Sequence, residues 1–284
     1  MADTKAHTPD LSVVIPAHNE EGCIASTVET LVEKLQAAKI NHEIVVVNDG
    51  SRDRTGEILE QLQENHPSVR SVRNTGAHGF GLAIRRGLAE FRGKSVAIYM
   101  ADASDSPDEL VTFYRTMVQK NVDGVFGNRW IRGGRVYDYP KFKYYINRLV
   151  NTMISLLFGI RYNDVTNAFK LYRREVIAGV QPVLSHHFNL TVELPLKAIV
   201  RGYSFEVIPN SWNNRSTGES KLKIKEMGSR YLFIIVYCLI EKWLSRGDYH
   251  RHSEPLGLKV VTSGHGIHKP LPIHDDCHFK PHQP

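Results

Sequence analysis

The sequence predicts an α/β fold with a doubly wound, mostly parallel sheet, and three observations support this prediction. Apolar, β-branched runs alternate with helical patterns from residue 11 to residue 130. The first two runs, LSVVIP and EIVVVN, are apolar over most of their length, as is typical of strands covered by helices on both faces. Each run stops abruptly in a polar turn, which favours a ligand site at the carboxyl ends of the strands.

The elements of the first half follow from local patterns. In the first helix, Ile24, Val28, Leu31 and Leu35 recur at spacings of three to four residues and form one apolar face. Pro107 suits the first turn of the fourth helix, because N–H groups in a first turn have no acceptor inside the helix. The predicted strands are 11–16, 43–48, 69–73, 95–100 and 122–127, and the predicted helices are 21–39, 54–65, 78–92 and 107–120.

The second half is less regular. We divide the chain into a polar N-terminal arm (1–10), one domain (11–225), an apolar C-terminal helix (226–246) and a tail (247–284). The tail is rich in His and Pro and has weak periodicity, so we predict that it is poorly ordered. Within the second half we predict a loop at 131–145, a helix at 146–159, a strand and turn at 164–173, a helix at 191–201, a strand at 203–209 and a polar loop at 210–223.

Composition and charge narrow the class of partner. The net charge of +6 and the pI near 9.1 favour anionic partners, such as nucleotide diphosphates, lipid phosphates or an anionic membrane surface. No nucleic-acid-binding motif accompanies the charge, so we do not expect a nucleic-acid partner. Three widely separated cysteines, Cys23, Cys238 and Cys277, indicate a reducing compartment. The polar N-terminus shows no signal peptide, and we therefore expect a cytoplasmic protein.

The apolar run Tyr231–Ile240 has ten residues and basic residues on both sides. It is shorter than the roughly 18 residues that suggest a membrane span. Two interpretations remain open, a buried core helix and a helix that lies in the membrane interface. The amphipathic helix 146–159 could lie beside it, and this pair predicts peripheral association with a membrane.

The turns PAHNE and NDGSRDRT resemble the nucleotide-binding elements of family 2 glycosyltransferases, which have the GT-A fold. The resemblance implies that Asp49 binds the nucleotide base, while the first turn walls the pocket and the Gly-rich loop NTGAHGFG approaches the nucleotide. A second interpretation is that residues 49–53 merely cap the next helix. The nucleotide-binding residues implied by the resemblance are Pro16, Ala17, His18, Glu20, Asp49, Ser51 and Gly79.

The segment ADASDSPDE stands where this family carries its acidic metal-binding motif. Ala101 and Ala103 replace the usual carboxylates, but Asp102 and Asp105 are present. Two carboxylates beside a diphosphate suit Mg²⁺ or Mn²⁺, because hard cations prefer oxygen ligands. Either the metal site is shifted to Asp102 and Asp105, or metal binding is weakened. Asp105 and Ser106 could also simply cap the next helix.

Three further motifs, GNR, NDVTNAFK and W-x-x-R-x-x-G-x-S-K, narrow the resemblance to the polyprenyl-phosphate glycosyltransferases, which include the dolichol-phosphate mannose synthases. This resemblance covers residues 11–225. It implies that arginines hold the acceptor phosphate and the donor diphosphate, for which a planar guanidinium is well shaped. The acceptor and diphosphate residues implied are Arg129, Arg148, Asp164, Arg215 and Lys221, and the catalytic residues are Asp102, Asp105 and Arg129.

The resemblance therefore implies a hexosyltransferase that moves a sugar from GDP-hexose or UDP-hexose to a polyprenyl phosphate with inversion. An anionic phosphate acceptor needs positioning more than a general base. A sugar hydroxyl would need a carboxylate base, for which Asp164 and Glu193 are candidates. A soluble sugar or small-molecule acceptor is thus the first alternative. A weakly active nucleotide-sugar-binding protein, suggested by Ala101 and Ala103, is the second.

Overall fold

The fold is described from a computed structural model, in which residues 8–213 and 224–251 are described. Nine strands and eight helices occur in these two ranges. The strands are β1 (Leu11–Ala17), β2 (His42–Asn48), β3 (Val69–Arg73), β4 (Ser95–Ile98), β5 (Gly124–Asn128), β6 (Arg135–Tyr137), β7 (Lys170–Arg173), β8 (Phe205–Pro209) and β9 (Ser211–Asn213). The helices are α1 (Ile24–Ala37), α2 (Thr55–Asn65), α3 (Phe80–Glu90), α4 (Pro107–Lys120), α5 (Lys141–Phe158), α6 (Arg174–Gly179), α7 (Leu190–Val200) and α8 (Ile224–Leu244).

A seven-stranded sheet with the order β3-β2-β1-β4-β7-β5-β8 forms the centre of the domain. β1 pairs in parallel with β2 and β4, β2 with β3, and β5 with β8. β7 is the exception in this sheet, since it runs antiparallel to both β4 and β5. The predicted doubly wound, mostly parallel α/β sheet is confirmed. The carboxyl ends of β1, β2 and β4 meet at one edge, where the polar turns follow.

Helices cover both faces of this sheet. Val14 and Val47 belong to the core beneath α3, α5, α7 and α8, whereas Ile15 and Val46 belong to the core beneath α1, α2 and α4. Both faces of β1 and β2 are therefore buried, which explains their apolar runs. A Cβ atom at Gly87 would lie 2.3 Å from a methyl carbon of Val14, so only glycine lets α3 approach β1 this closely. This approach brings the loop before α3 to the edge where the turns meet.

Several elements differ from the prediction. α5 begins at Lys141 rather than residue 146, because Pro140 occupies the N-cap and the first helical turn includes residues predicted as loop. β4 ends at Ile98, two residues early. A separate two-stranded parallel sheet joins β6 to β9, and neither strand was predicted, since three residues are too few to show an alternating pattern. The short helix α6 was not predicted either.

α8 is fixed to α7 by a buried ion pair. The guanidinium of Arg201 lies 2.6 and 2.9 Å from the two carboxylate oxygens of Glu241. One face of α8 is buried in the core through Ile234, Ile235 and Cys238. The opposite face is exposed. The sequence left open a buried core helix and an interfacial helix, and the structure shows one buried face and one exposed face on the same helix. No helix in the described ranges 8–213 and 224–251 combines the length and apolarity needed to cross a membrane.

The predicted tail begins inside the described part of the chain. Residues 247–251 still contact the domain, because the Arg251 N–H donates to the Arg201 carbonyl at 2.8 Å and its guanidinium pairs with Asp123. Residues 252–284, which make up the rest of the tail, lie outside the described residues. Most of the arm 1–10 and the loop segment 214–223 lie outside them as well.

Candidate active site

The turns that follow β1 and β2 are braced against each other. The Asn19 N–H donates to Ser51 Oγ at 3.1 Å, and the Asn19 side chain accepts from the Arg52 N–H at 2.8 Å. The Glu20 N–H donates to Thr55 Oγ1 at 2.9 Å. The sequence placed Ser51 and Glu20 in one nucleotide pocket, and the structure brings these two turns together although they are about thirty residues apart.

Asp49 is buried and lies at the floor between these turns. One carboxylate oxygen accepts from Asn74 Nδ2 at 2.6 Å and lies 3.1 Å from His78 Nδ1. The other accepts from the Gly79 N–H at 2.8 Å. Asp49 therefore does not cap α2, and Asp53 has that role, since it accepts from the Thr55 N–H at 3.0 Å. Asp49 instead orders the Gly-rich loop that was predicted to approach the nucleotide.

The end of β1 and the first residues of its turn also lie close to Asp49. His18 Nδ1 lies 2.7 Å from the Asp49 carbonyl oxygen. The Asp49 N–H donates to the Ala17 carbonyl at 2.8 Å and so continues the pairing of β1 with β2. Pro16 is the penultimate residue of β1 and is half-buried. The predicted nucleotide-binding residues thus lie close together at the carboxyl edge of the sheet, although the Ala17 side chain is buried in the core.

The loop after β4 presents two carboxylates. Ala101 is buried in the core, and its carbonyl accepts from Thr27 Oγ1 at 2.9 Å. Ala103 is exposed and adopts a left-handed backbone with a φ of 56°. Asp102 accepts from the Ser104 N–H at 3.2 Å, and the Asp105 carbonyl accepts from the Tyr99 hydroxyl. Of the positions 101–105, only Asp102 and Asp105 supply carboxylates.

The electrostatics of Asp105 fit a bound cation. Its side chain is 5% exposed, and one carboxylate oxygen, Oδ2, has no hydrogen-bond partner in the described part of the chain. Burial and, to a smaller extent, the nearby Asp102 raise the pKa of Asp105, Arg129 opposes them, and the resulting pKa is about 8. No cluster of three or more His, Cys, Asp or Glu side chains suited to a metal occurs among residues 8–213 and 224–251. A cation here would take its other ligands from the diphosphate and water.

The first turn of α4 connects this acidic loop to β9. Ser106 occupies the N-cap, but its side chain makes no capping hydrogen bond. Glu109 accepts from both the N–H and the hydroxyl of Ser211 at 2.8 Å. The Asn213 N–H donates to the Ser104 carbonyl at 3.1 Å. β9 is therefore held against the acidic loop. Arg215 and Lys221, two predicted phosphate ligands, follow β9 and lie outside the described residues.

Arg129, at the carboxyl end of β5, is locked in a buried bidentate pair with Asp164. Its Nε and Nη2 lie 2.9 and 2.8 Å from the two oxygens of Asp164, and its backbone N–H donates to the same carboxylate at 3.0 Å. Burial alone would lower the pKa of Arg129, but Asp164 outweighs it and raises the pKa above its usual value. Asp164 is fully buried and engaged, so a general-base role would first require this pair to break.

Arg148 makes fewer hydrogen bonds than Arg129 does. One of its N–H groups donates to the Asn163 carbonyl at 3.0 Å, and it pairs with no carboxylate in the described part of the chain. Its guanidinium carbon lies 5.4 Å from the ring centre of Trp130, and that of Arg129 lies 5.6 Å from the same ring. The structure thus brings together two of the three predicted phosphate-binding arginines, which are 19 residues apart in the sequence.

Two residues of this region were missed by the sequence analysis. Trp130 follows Arg129 directly, but a single Trp after a strand gives no specific signal. Lys170 ends the NDVTNAFK motif and is buried, with its amine 3.0 Å from the Val165 carbonyl and 3.2 Å from the Thr191 carbonyl. Burial lowers the pKa of Lys170 to about 7, while Asp164 opposes this shift. The position of Lys170 between apolar residues in the sequence could have indicated a buried lysine.

Glu193, the other candidate base, lies elsewhere. Its carboxylate is fully buried, lies 2.7 Å from Lys197 Nζ, and accepts from the N–H groups of Leu184 and Ser185 at 2.7 Å. These three partners give Glu193 a structural role at the start of α7. It has no free oxygen with which to accept a proton from a substrate.

Known proteins share sequence and fold with this chain. Residues 12–180 match the sequence profile described as Glycosyl transferase family 2. The chain is 31% identical over 216 residues to a protein of Mycolicibacterium smegmatis named polyprenol monophosphomannose synthase, with 74% of this chain and 80% of that protein aligned. It is also 31% identical over 220 residues to a dolichol-phosphate mannosyltransferase of Pyrococcus furiosus, with 76% of this chain aligned but only 60% of that protein's length.

A solved structure supports the fold. Glucosyl-3-phosphoglycerate synthase from Mycobacterium tuberculosis, in complex with Mn²⁺, uridine diphosphate and phosphoglyceric acid, superposes with a TM-score of 0.60 at 17% identity. The superposition covers 82% of this chain and 78% of that one. At this identity the likeness shows the fold alone, which is the predicted GT-A fold.

Proposed function

The chain belongs to glycosyl transferase family 2 and is a hexosyltransferase, and from this premise we propose that it transfers a hexose from a nucleotide-diphosphate sugar to a polyprenyl phosphate. The observation that carries this proposal is the position of two neighbouring carboxylates and two arginines at one edge of the sheet. Asp102 and Asp105 follow β4 at the same carboxyl edge as the turns after β1 and β2, and Arg129 and Arg148 share the ring of Trp130. Two relatives at 31% identity carry names of polyprenol- and dolichol-phosphate mannosyl transfer.

In the proposed donor site, Asp49 and the braced turns hold the nucleotide. Asp102 and Asp105 hold a Mg²⁺ or Mn²⁺ ion, and the unpartnered oxygen of Asp105 supports this assignment. The ion, when bound, neutralises charge on the diphosphate leaving group. GDP-hexose and UDP-hexose both contain a diphosphate that fits these residues.

The acceptor in this proposal is a phosphate monoester whose oxygen is already an anionic nucleophile. Arg148 has donors left after its single bond to the Asn163 carbonyl and binds this phosphate. Arg129 is held in position by Asp164 and contributes fixed positive charge. A new bond forms between the acceptor oxygen and the anomeric carbon. The bond from that carbon to the diphosphate breaks, its electron pair leaves with the nucleoside diphosphate, and the anomeric centre inverts.

The proposed lipid acceptor requires a surface that meets the membrane. α5 exposes Leu149 and Leu156 at 72% and 78%, and α8 exposes Phe233, Ile240 and Trp243 at more than half of their area. Both helices belong to the same face of the sheet. Large apolar side chains that are exposed together are typical of interaction surfaces, whereas singly exposed ones are ordinary. We therefore propose that the protein associates peripherally with a membrane through α5 and α8.

The test is transfer of radiolabelled sugar from GDP-mannose and from UDP-glucose, with Mn²⁺, to a short polyprenyl phosphate. Labelled product should enter the organic phase for one donor and should disappear in the double variant Asp102→Asn, Asp105→Asn. Asp108→Asn is the matched control, since Asp108 is exposed on the same segment and pairs with Lys34 of α1 at 3.1 Å. Labelled product only with a soluble acceptor, such as a phosphorylated small acid or a free sugar, would overturn the proposed acceptor.

A further inference from the structure

Five aromatic rings form a continuous series that begins in β9, passes the two arginines of the candidate phosphate site and ends on the outer face of α5. The ring centres are separated by 5.2 Å from Trp212 to Tyr139 and 5.7 Å from Tyr139 to Trp130. They are separated by 5.2 Å from Trp130 to Tyr144 and 5.4 Å from Tyr144 to Tyr145. Every contact is edge-to-face, which is a favoured geometry for aromatic pairs. We call these five rings the aromatic ladder.

The middle of the ladder, at Trp130 and Tyr139, is suited to an anion. The guanidinium carbons of Arg129 and Arg148 lie 5.6 and 5.4 Å from the centre of the Trp130 ring, and Arg129 lies 5.9 Å from the Tyr139 ring. The Trp130 indole N–H is shielded from solvent and has no acceptor in the described part of the chain. A buried donor without an acceptor is costly, and a phosphate oxygen would supply one.

The outer end of the ladder is apolar and open. Tyr144 is 38% exposed and Tyr145 is 69% exposed. Leu149 and Leu156 follow Tyr145 by four and eleven residues, which is about one and three helical turns, so they continue along the same side of α5. A ligand with a charged head at Trp130 and an apolar chain would meet rings first and then this side of the helix.

Packing alone explains only part of the ladder. Trp212, Tyr139 and Trp130 are at least half-buried, and rings in such positions commonly fill space between elements. Tyr145 buries little area and fills no cavity. Its exposure and its contact with Tyr144 are the features that point to a ligand instead of the core.

We propose that the aromatic ladder binds the first isoprene units of a prenyl phosphate acceptor, with the phosphate at Arg148 and Trp130 and the chain along Tyr144 and Tyr145. This inference rests on the proposed function and adds the residues that select an isoprenoid chain over other phosphate esters. The rings bury apolar area of the chain, while their polar groups remain near water at the entrance.

Binding can be measured without catalysis through tryptophan fluorescence. The chain has three tryptophans, and Trp243 on α8 lies outside the ladder and is 62% exposed. In a Trp243→Phe background, emission reports only Trp130 and Trp212. Titration with a four-unit prenyl phosphate should change this emission at lower concentration than titration with inorganic phosphate. The apolar chain of the prenyl ester accounts for this difference in affinity.

The test compares ladder variants with a matched tyrosine. Tyr145→Ala, and separately Tyr144→Ala, should raise the Kd for the prenyl phosphate about tenfold, which is about 1.4 kcal/mol, and leave the Kd for inorganic phosphate unchanged. Tyr137→Ala is the control, because Tyr137 is 46% exposed on β6 and makes none of the ladder contacts. Tyr145→Ala should also raise the KM for the acceptor in transfer without changing the KM for the donor.

The possible outcomes separate this inference from the proposed function. If the unaltered protein transfers sugar to the prenyl phosphate and both ladder variants bind it as tightly as Tyr137→Ala does, the ladder assignment is wrong and the proposed function stands. An equal loss of affinity for inorganic phosphate in Tyr145→Ala would also overturn it, since the effect would then not depend on the chain. If the unaltered protein neither binds nor glycosylates any prenyl phosphate, the proposed function fails together with the inference.

Discussion

Asp49 illustrates how one carboxylate can organise a binding site before any ligand arrives. Its two oxygens accept from Asn74 and Gly79 and contact His78, three residues of a loop that β3 delivers from the far side of β2. These contacts fix the position of the loop. Fixing the loop in advance reduces the ordering cost that binding would otherwise carry.

For this reason we expect Asp49→Asn to weaken nucleotide binding by roughly 10- to 100-fold, because hydrogen bonds to charged groups contribute about 1.5–3 kcal/mol. Calorimetric titration with GDP and UDP measures the change. Glu57→Gln is the matched control, since Glu57 is exposed on α2 and pairs with Arg54 at 3.5 Å, and its nucleotide affinity should be that of the unaltered protein. Unchanged affinity in Asp49→Asn would show that Asp49 has no role in recognition.

Asp105, the proposed metal ligand, also lowers the stability of the metal-free protein. A carboxylate oxygen enclosed without a partner destabilises the metal-free protein. We expect Asp105→Asn to raise the melting temperature of the metal-free protein at pH 8 and to abolish both the Mn²⁺-induced rise in that temperature and the Mn²⁺ stimulation of transfer. Thermal melts with and without Mn²⁺ test this, with Asp108→Asn as the control. Retention of full Mn²⁺ stimulation in Asp105→Asn would exclude the shifted metal site.

The sequence predicted single residues better than it predicted their partners. Asp49, Asp102 and Asp105 were proposed as site residues because each follows a strand whose apolar run ends sharply and because the turns that carry them resemble those of family 2 glycosyltransferases. The pair of Arg129 with Asp164 was not predicted, since the two residues are 35 positions apart and no local pattern connects them. The pair forms because two segments distant in the sequence come together in the fold. The periodicity of apolar residues within each segment does not show which segments will be neighbours.

At the scale of elements, the turn from residue 163 to residue 167 depends on Lys170. The buried ammonium lies at hydrogen-bonding distance from the carbonyls of Val165, Asn167 and Thr191, and so it shapes the turn that carries Asp164. Lys170→Met should therefore destabilise the protein by at least about 2 kcal/mol, because three buried carbonyls lose a donor. It should also release Arg129 from its fixed position and lower transfer.

The pH dependence gives a more specific signature of Lys170. Its pKa falls from about 10.5 in the unfolded chain to about 7 in the folded one, so between these values the unfolded state binds more protons. Stability from this group should rise with pH across that window, by up to about 1.4 kcal/mol per pH unit. Urea unfolding from pH 7 to 9.5 should show this rise and lose it in Lys170→Met. Lys120→Met, an exposed control on α4, should keep it.

The predicted boundaries of an element were most accurate where its local sequence pattern was strongest. α4, with Pro107 at its start and an amphipathic face, was predicted to the residue. β7 was predicted as part of a strand and turn, but its antiparallel direction was not, because direction depends on the path of the chain between β5 and β7 rather than on composition. α5 was predicted five residues short, since its first turn carries aromatic and basic residues that resemble a loop.

At the scale of the whole molecule, positive charge and exposed apolar area occur in one protein. The net charge of +6 attracts anionic surfaces, and α5 and α8 expose large apolar side chains on the face of the sheet opposite α1, α2 and α4. A membrane would cover these side chains and bring a lipid phosphate to the arginines. A basic protein with no such face would bind anionic vesicles through charge alone and would leave them in high salt.

We therefore expect the protein to float with anionic vesicles at low salt and to retain part of this binding at high salt. Each basic residue near the surface contributes about 1 kcal/mol that salt screens, whereas burial of apolar side chains is insensitive to screening. The double variant Leu149→Ser, Leu156→Ser should lose the salt-resistant part, because burying each Leu contributes up to about 2 kcal/mol. Val118→Ser on α4, 57% exposed, is the control and should bind as the unaltered protein does. Equal retention in the double variant, or binding that disappears entirely in high salt, would show that α5 does not enter the membrane interface.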